Sequence, residues 1–149
     1  MTTSDLWDAQ TAELYDESSA FMFAADVLGP AVEFLAGLAG DEPALEFAIG
    51  TGRLAVPLVE RGVSVSGIEL SQPMVDQLLK KRTDIPVVLG DMATNTMPGQ
   101  FSLVYLAWNS IGNLRTQIEQ VACFRNAARH LAPGEIGRAS CRERVCYAV

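Results

Sequence analysis

The sequence is poor in metal ligands. It has one histidine, His130, and three cysteines, Cys123, Cys141 and Cys146, in 149 residues. The cysteines form neither a metal-ligand spacing nor a disulfide framework, so no metal site is expected. Basic residues are also few: 11 Lys and Arg against 18 Asp and Glu, a net charge of −7. A phosphate backbone needs a basic surface, which argues against nucleic acid as the main partner. No apolar run approaches the roughly 18 residues of a membrane span, so no membrane partner is expected. The first five residues, MTTSD, carry no basic leader. A chain that is 49% hydrophobic and 19% charged then fits one cytoplasmic α/β domain with a real core. His130, near the end of a helical stretch, is expected to complement the C-terminal helix dipole.

The C-terminal residues 135–149 do not continue this composition. Three Arg and two Cys appear there without any hydrophobic period, directly after a Pro133-Gly134 helix stop. The run IGRASCRERV, residues 136–145, back-translates to one reading frame of a common sequencing adapter. It is read as a non-native tail and set outside fold reasoning. Two further segments are expected before it: an N-terminal helical lid over residues 1–40 and an incomplete nucleoside-binding domain over residues 41–134.

Residues 4–39 read as helical, with Gly29-Pro30 breaking the segment into two helices. Residues 44–47 form a short buried strand and residues 48–52 a glycine-rich turn. A helix follows over residues 53–61, where Pro57 is expected to bend it. Residues 63–68 alternate as a strand ending at Glu69. Ser71 caps a helix over residues 73–81. Residues 85–89 and 101–107 are strands, and Thr116 caps a long helix through Leu131. Strands alternating with helices predict βαβ units, a mostly parallel sheet and helices on both faces.

Three chemical signals fall at the ends of three successive strands: Glu46-Phe-Ala-Ile-Gly50-Thr51-Gly52, then Glu69, then Gly90-Asp91-Met92. The carboxyl ends of strands line the ligand crevice of an open α/β sheet, so distant segments converge there. Gly50 and Gly52 permit positive φ and close backbone approach to a ligand. The helix starting near Arg53 is expected to aim its amide-rich end at the crevice. Glu69, about 17 residues beyond Gly52, is placed to accept both hydroxyl hydrogens of a ribose. Asp91 suits a donor on an adenine edge, and Met92 suits its ring face. Taken singly, each signal is more often a plain turn or a solvated acid; the order and the strand-end positions together point to a nucleoside site. Tyr15, Asp16, Trp108 and Asn109 are candidates for the substrate side of the pocket. Cys123, in an apolar helix, is expected to be buried and inert.

Gly50-Thr-Gly52-Arg-Leu-Ala55 also fits the dinucleotide fingerprint, so an NAD-dependent oxidoreductase is the rival reading. Glu46 opposes it, because a carboxylate there repels a pyrophosphate and suits a cationic ligand. The runs LEFAIGTGRLAVPLVERGVSVSGIELSQPMVDQL, VVLGDMAT, FSLVYLAWNSIGNL and CFRNAARHLAPG resemble class I S-adenosylmethionine-dependent methyltransferases over residues 12–134. That resemblance implies a Rossmann-like three-layer sandwich, S-adenosylmethionine as methyl donor and an acceptor that acidity favours as a small molecule. It places Glu46, Ala48, Gly50, Thr51 and Gly52 around the methionine portion. It places Glu69 on the ribose, Leu70 and Met74 beside the adenosine, and Asp91 and Met92 on the adenine. Ala107, Trp108 and Asn109 would lie near the reactive methyl. Ala48 departs from the family, which usually has Gly there. The family's strand order implies that only 3-2-1-4 is retained, leaving strand four as an exposed edge and activity low.

Overall fold

A computed structural model describes residues 7–141 and 144–147. Residues 1–6, the side chains of residues 136–149, and with them the expectations on Cys141 and Cys146, lie outside the described residues. Element order is α1 (Ala9–Ser18), α2 (Ala20–Phe23), α3 (Ala25–Ala39), β1 (Ala44–Phe47), α4 (Ala55–Glu60), β2 (Val65–Glu69), α5 (Gln72–Lys81), β3 (Val87–Leu89), β4 (Phe101–Leu106), a 3-10 turn (Ser110–Asn113), α6 (Gln117–His130), β5 (Leu131–Cys141) and β6 (Arg144–Tyr147). Among the described residues, no helix is long and apolar enough to cross a membrane.

The sheet runs β3-β2-β1-β4-β5-β6, parallel from β3 to β5 and antiparallel only at β5–β6. It matches the α/β, mostly parallel sheet expected from the sequence. Alternation along β1 sorts the core into two faces. Ala44 joins Val65, Leu103 and Tyr105 under α3 and α4. Leu45 and Phe47 join Ile68, Val104 and Leu106 on the opposite face, with Cys123 of α6. Strands covered on both faces read as near-continuous apolar runs, as β4 (FSLVYL) does, every residue buried.

Three expectations are corrected. Gly29-Pro30 does not break the chain: Pro30 lies inside α3. The breaks come at Ser19 (φ −108°, ψ 19°) and Ala24 (φ −58°, ψ 138°), where the backbone leaves helical values. Pro57 does not bend α4, which starts at Ala55 rather than Arg53. The proline therefore sits in the first turn, where its missing N–H has no intrahelical partner to lose. Strand four is not an edge. Leu131 is extended (φ −72°, ψ 137°), and the chain runs from α6 straight into β5, which pairs with β4 through a register shift opposite Phe101 and Leu103. Residues read as a tail outside the fold thus supply backbone to two strands.

His130 is also placed differently from its expected role at the helix end. It is 3% exposed and lies edge-on to Phe47, with ring centroids 5.9 Å apart. Its Nε2 accepts from the Met97 N–H at 2.9 Å, and its Nδ1 lies 2.7 Å from the Asn126 carbonyl. That pattern specifies a neutral ring with Nδ1–H donating. One helical turn earlier, Asn126 donates through Nδ2 to the carbonyls of Met92 (2.9 Å) and Asn95 (2.7 Å). Two side chains of α6 therefore pin the loop that follows β3. Replacing His130 by Leu strands the buried Met97 N–H and is expected to cost about 1–3 kcal/mol, read as a fall in the urea midpoint. An unchanged midpoint would show that the loop does not depend on this clamp.

Candidate functional site

The carboxyl ends of β1, β2, β3 and β4 open onto one cavity of about 260 Å³. Every site residue expected from the sequence lines it except Gly52 and Asp16: Tyr15, Glu46, Ala48, Gly50, Thr51, Glu69, Leu70, Met74, Asp91, Met92, Ala107, Trp108 and Asn109 are all present. Gly52 faces α5 instead. A Cβ on it would stand 2.4 Å from Leu78 Cδ1 and 3.0 Å from Val56 Cγ2, at φ +82°. Its smallness serves helix packing and not ligand approach.

The turns after β1 and β4 carry left-handed backbone. Gly50 has φ 59°, which glycine adopts freely, but Ala48 has φ 54° and Trp108 φ 60°. Left-handed alanine costs about 1–2 kcal/mol. The family's usual glycine therefore answers a real requirement at position 48. Ala48→Gly is expected to raise stability by about 0.5–1 kcal/mol, the relief of strain being offset by added freedom of the unfolded chain. Thermal denaturation measures it, and a lower melting temperature would count against the strain.

Glu69 is the anchor of the cavity wall. It is 7% exposed. Its Oε2 accepts from Gly50 N–H at 2.8 Å and its Oε1 from Ser71 N–H at 2.9 Å. A carboxylate offers about four lone pairs, so capacity for a further donor remains. Burial raises its pKa, opposed by the backbone donors of Ser71, Gly50 and Leu70. Glu46 is 4% exposed and accepts from the Tyr105 hydroxyl at 2.8 Å. Burial pushes its pKa up to about 8, against the Tyr105 hydrogen bond and the Arg53 charge, with Glu69 adding to the rise. Asp91 forms an Asx turn, its Oδ1 accepting from Ala93 N–H at 2.8 Å, while its own N–H donates to Asn95 Oδ1.

The N-terminal segment folds back over the opening. Asp8 caps α1 by accepting from Thr11 N–H at 2.8 Å, and the Trp7 carbonyl just before it accepts from Ser71 Oγ at 2.6 Å. Trp7 meets Tyr15 edge-on at 5.6 Å, and both line the cavity. Asp16, expected on the substrate side, is engaged instead with the glycine turn. It accepts from Thr51 Oγ1 at 2.5 Å and pairs with Lys81, whose ammonium also donates to the Thr51 carbonyl.

Sequence reasoning missed Trp7, Arg53, Ser110, Asn113 and Leu114 among the lining residues. Arg53 brings a cation to an otherwise acidic lining, its guanidinium 6.0 Å from the centre of the Trp108 ring. Its place directly after Gly52 was a signal available to charge reasoning. Trp7 carried only a weaker one: it precedes a capping aspartate. Cys123 is 3% exposed, and burial pushes its thiol up to about 12, with Asp91 adding to the shift, so it is an inert core residue. The helix expected to start near Arg53 is six residues long and starts at Ala55, beyond Arg53.

Comparison with known proteins follows the same lines. A family model described as "Methyltransferase domain" matches residues 44–134. The chain is 30% identical to cypemycin N-terminal methyltransferase from Streptomyces sp, over 87% of this chain and 57% of that protein. It is 32% identical to the dTDP-3-amino-3,4,6-trideoxy-alpha-D-glucopyranose N,N-dimethyltransferase of Streptomyces venezuelae, over 62% of this chain and 39% of that protein. Among solved structures, the glycopeptide N-methyltransferase MtfA complexed with S-adenosyl-L-methionine superposes with a TM-score of 0.65 at 26% identity, covering 73% of this chain and 52% of that one. The chain thus spans about half the length of the relatives it matches.

Proposed function

The chain belongs to the methyltransferase domain family, and we propose that its cavity takes S-adenosylmethionine and directs methyl transfer to a small-molecule amine. The observation that carries this reading is the meeting of Glu46, Glu69 and Asp91 around the Gly50 bend in one cavity. Three acids there suit a cationic nucleoside better than a pyrophosphate. Two of the relatives described above bear N-methyl or N,N-dimethyltransferase names and the third an N-terminal methyltransferase name, which favours nitrogen as the acceptor atom and gives the oxidoreductase alternative no support.

The residues present fit the cofactor. Glu69 keeps acceptor capacity for the ribose, and its position is preset by backbone donors. Leu70 and Met74 would flank the adenosine, with Asp91 and Met92 at the adenine. Glu46, Ala48, Gly50 and Thr51 would hold the methionine portion, with Glu46 for the ammonium. Arg53 would supply the positive charge for the methionine carboxylate. When bound, S-adenosylmethionine supplies a methyl group already activated for displacement by sulfur. The chain's own residues then contribute alignment and exclusion of water. The N-terminal lid, through Trp7 and Tyr15, closes the site. Ala107, Trp108 and Asn109 border the acceptor's approach, with Tyr15 also on the substrate side.

Calorimetry with S-adenosylhomocysteine tests the cofactor part. Saturable one-to-one binding, with no response to NADH, is the expected result; a folded protein that binds neither would overturn it. Tritiated methyl transfer to amino sugars and to peptide amino termini tests the acceptor. Transfer to hydroxyl acceptors alone would reject nitrogen. The adapter-like residues 136–145 support a further part of the reading: a parent chain that continues differently after Gly134, and low turnover by these 149 residues. Reading the uninterrupted gene beyond the Gly134 codon decides it.

A further inference from the structure

Tyr105 does not line the cavity, yet it acts on one of its walls. It is the register partner of Glu46 across β1 and β4, and it is 2% exposed within the core face formed by Leu103, Ala44 and Val65. A phenol hydroxyl buried among aliphatic groups needs a polar partner. The partner is Glu46, whose Oε2 accepts from the hydroxyl at 2.8 Å. No other hydrogen bond to the Glu46 carboxyl is present among the described residues.

We propose that Tyr105 is a positioning residue: it holds the Glu46 carboxyl turned into the cavity and lets it release a proton to solvent as a cationic ligand enters. The proposal rests on the reading that Glu46 faces the ammonium of the cofactor's methionine portion. The chemistry balances simply. The carboxylic acid of Glu46 loses its proton to water, and the carboxylate that remains pairs with the arriving cation. A donor aimed at one oxygen favours the ionised form. Arg53, from the turn before α4, also favours it, while burial and Glu69, from β2, oppose it. The neighbouring Tyr15 of α1 senses the same set of charges: Arg53, Asp16, Glu69 and Glu46. Without ligand these influences leave Glu46 protonated up to about pH 8. Tyr105 itself is held neutral well above the ordinary phenol range by burial and by the Glu46 charge, so it donates throughout.

The test is calorimetric binding of S-adenosylhomocysteine between pH 5.5 and 8.5, in buffers of differing ionisation enthalpy. The proteins compared are the native chain, Tyr105→Phe, Glu46→Gln and the double variant. Native affinity is expected to rise by up to about tenfold per pH unit and to level near pH 8, with close to one proton released per ligand at about pH 6.5. Tyr105→Phe keeps the ring in its core and removes only the donor. It should move the levelling point up by about one pH unit and weaken binding about tenfold at pH 7. In the Glu46→Gln background the same change should do nothing. A Tyr105→Phe loss that does not shrink from about tenfold at pH 7 to about threefold at pH 8.5, or that persists in the Glu46→Gln background, would mark a merely structural residue and overturn the proposal. Absence of proton release in the native protein would overturn it without any variant. Failure of the underlying reading has a different signature: Glu46→Gln would then bind with native affinity and native pH dependence.

Discussion

Replacing Glu69 by Ala is expected to weaken S-adenosylhomocysteine binding by at least about a hundredfold, close to 3 kcal/mol. Two effects combine. The variant loses a charged acceptor pair for the ribose hydroxyls, and charge-assisted hydrogen bonds are worth more than neutral ones. It also releases the Gly50 and Ser71 N–H groups, which the carboxylate holds at 2.8 and 2.9 Å. The second effect loosens the bend that shapes the methionine end of the cavity. Glu69→Gln separates the two. Its single acceptor oxygen satisfies one backbone donor while its amide turns a donor toward the other. An intermediate loss of affinity is therefore expected, with a lower melting temperature than the native chain. Calorimetry measures both variants. If each bound within about threefold of native, a difference under 1 kcal/mol, Glu69 would be a structural brace alone and the ribose would sit elsewhere.

The stability of the ligand-free protein should fall as pH rises from about 4.5 to about 8. Burial raises the Glu46 pKa to about 8 from an ordinary carboxylate value of 4.5. Between those limits the folded chain keeps a proton that the unfolded chain has released. Stability attributable to this proton is complete below 4.5, declines by up to about 1.4 kcal/mol per pH unit, and is gone above about 8. Glu69, also raised by burial, pushes in the same direction. Glu46→Gln cannot ionise, so its urea midpoint should decline less steeply and exceed the native one at about pH 8. The same variant should bind the cofactor more weakly, a trade of function for stability at a desolvated acid. Saturating cofactor should flatten the native slope, because a cation beside Glu46 lowers its pKa. Parallel pH profiles for the two ligand-free proteins would show that Glu46 ionises normally and refute the account.

Much of this site is legible along the chain because its parts are local. Ala44–Phe47 has the same bounds in the sequence and in the structure, since a short run between Pro43 and a glycine turn leaves few alternatives. Ser71 and Thr116 announce their helices through side-chain caps, which depend only on residues three positions away. Glu46, Glu69 and Asp91 stand out because each ends or follows a strand. The misreadings have the opposite character. Gly52 reads as a ligand contact until Leu78, brought over it by α5, occupies the space. His130 reads as a helix-end cation until the Met97 loop comes against it. Asp16 reads as a substrate contact until Thr51 and Lys81 claim both its oxygens.

Hydrophobic period, turn chemistry and caps settled the succession of strands and helices here, because each is a short-range preference carried by neighbouring residues. They also brought the acids to one end of a parallel sheet, since right-handed crossovers leave little freedom in where strand ends gather. Packing alone decided that Tyr105 meets Glu46 across 59 residues, that Ala48 is left-handed, and that β5 covers the flank of β4. Such contacts depend on register and on which side chain reaches a space first. Those are properties of the assembled core, which no stretch of the chain holds until the others are in place.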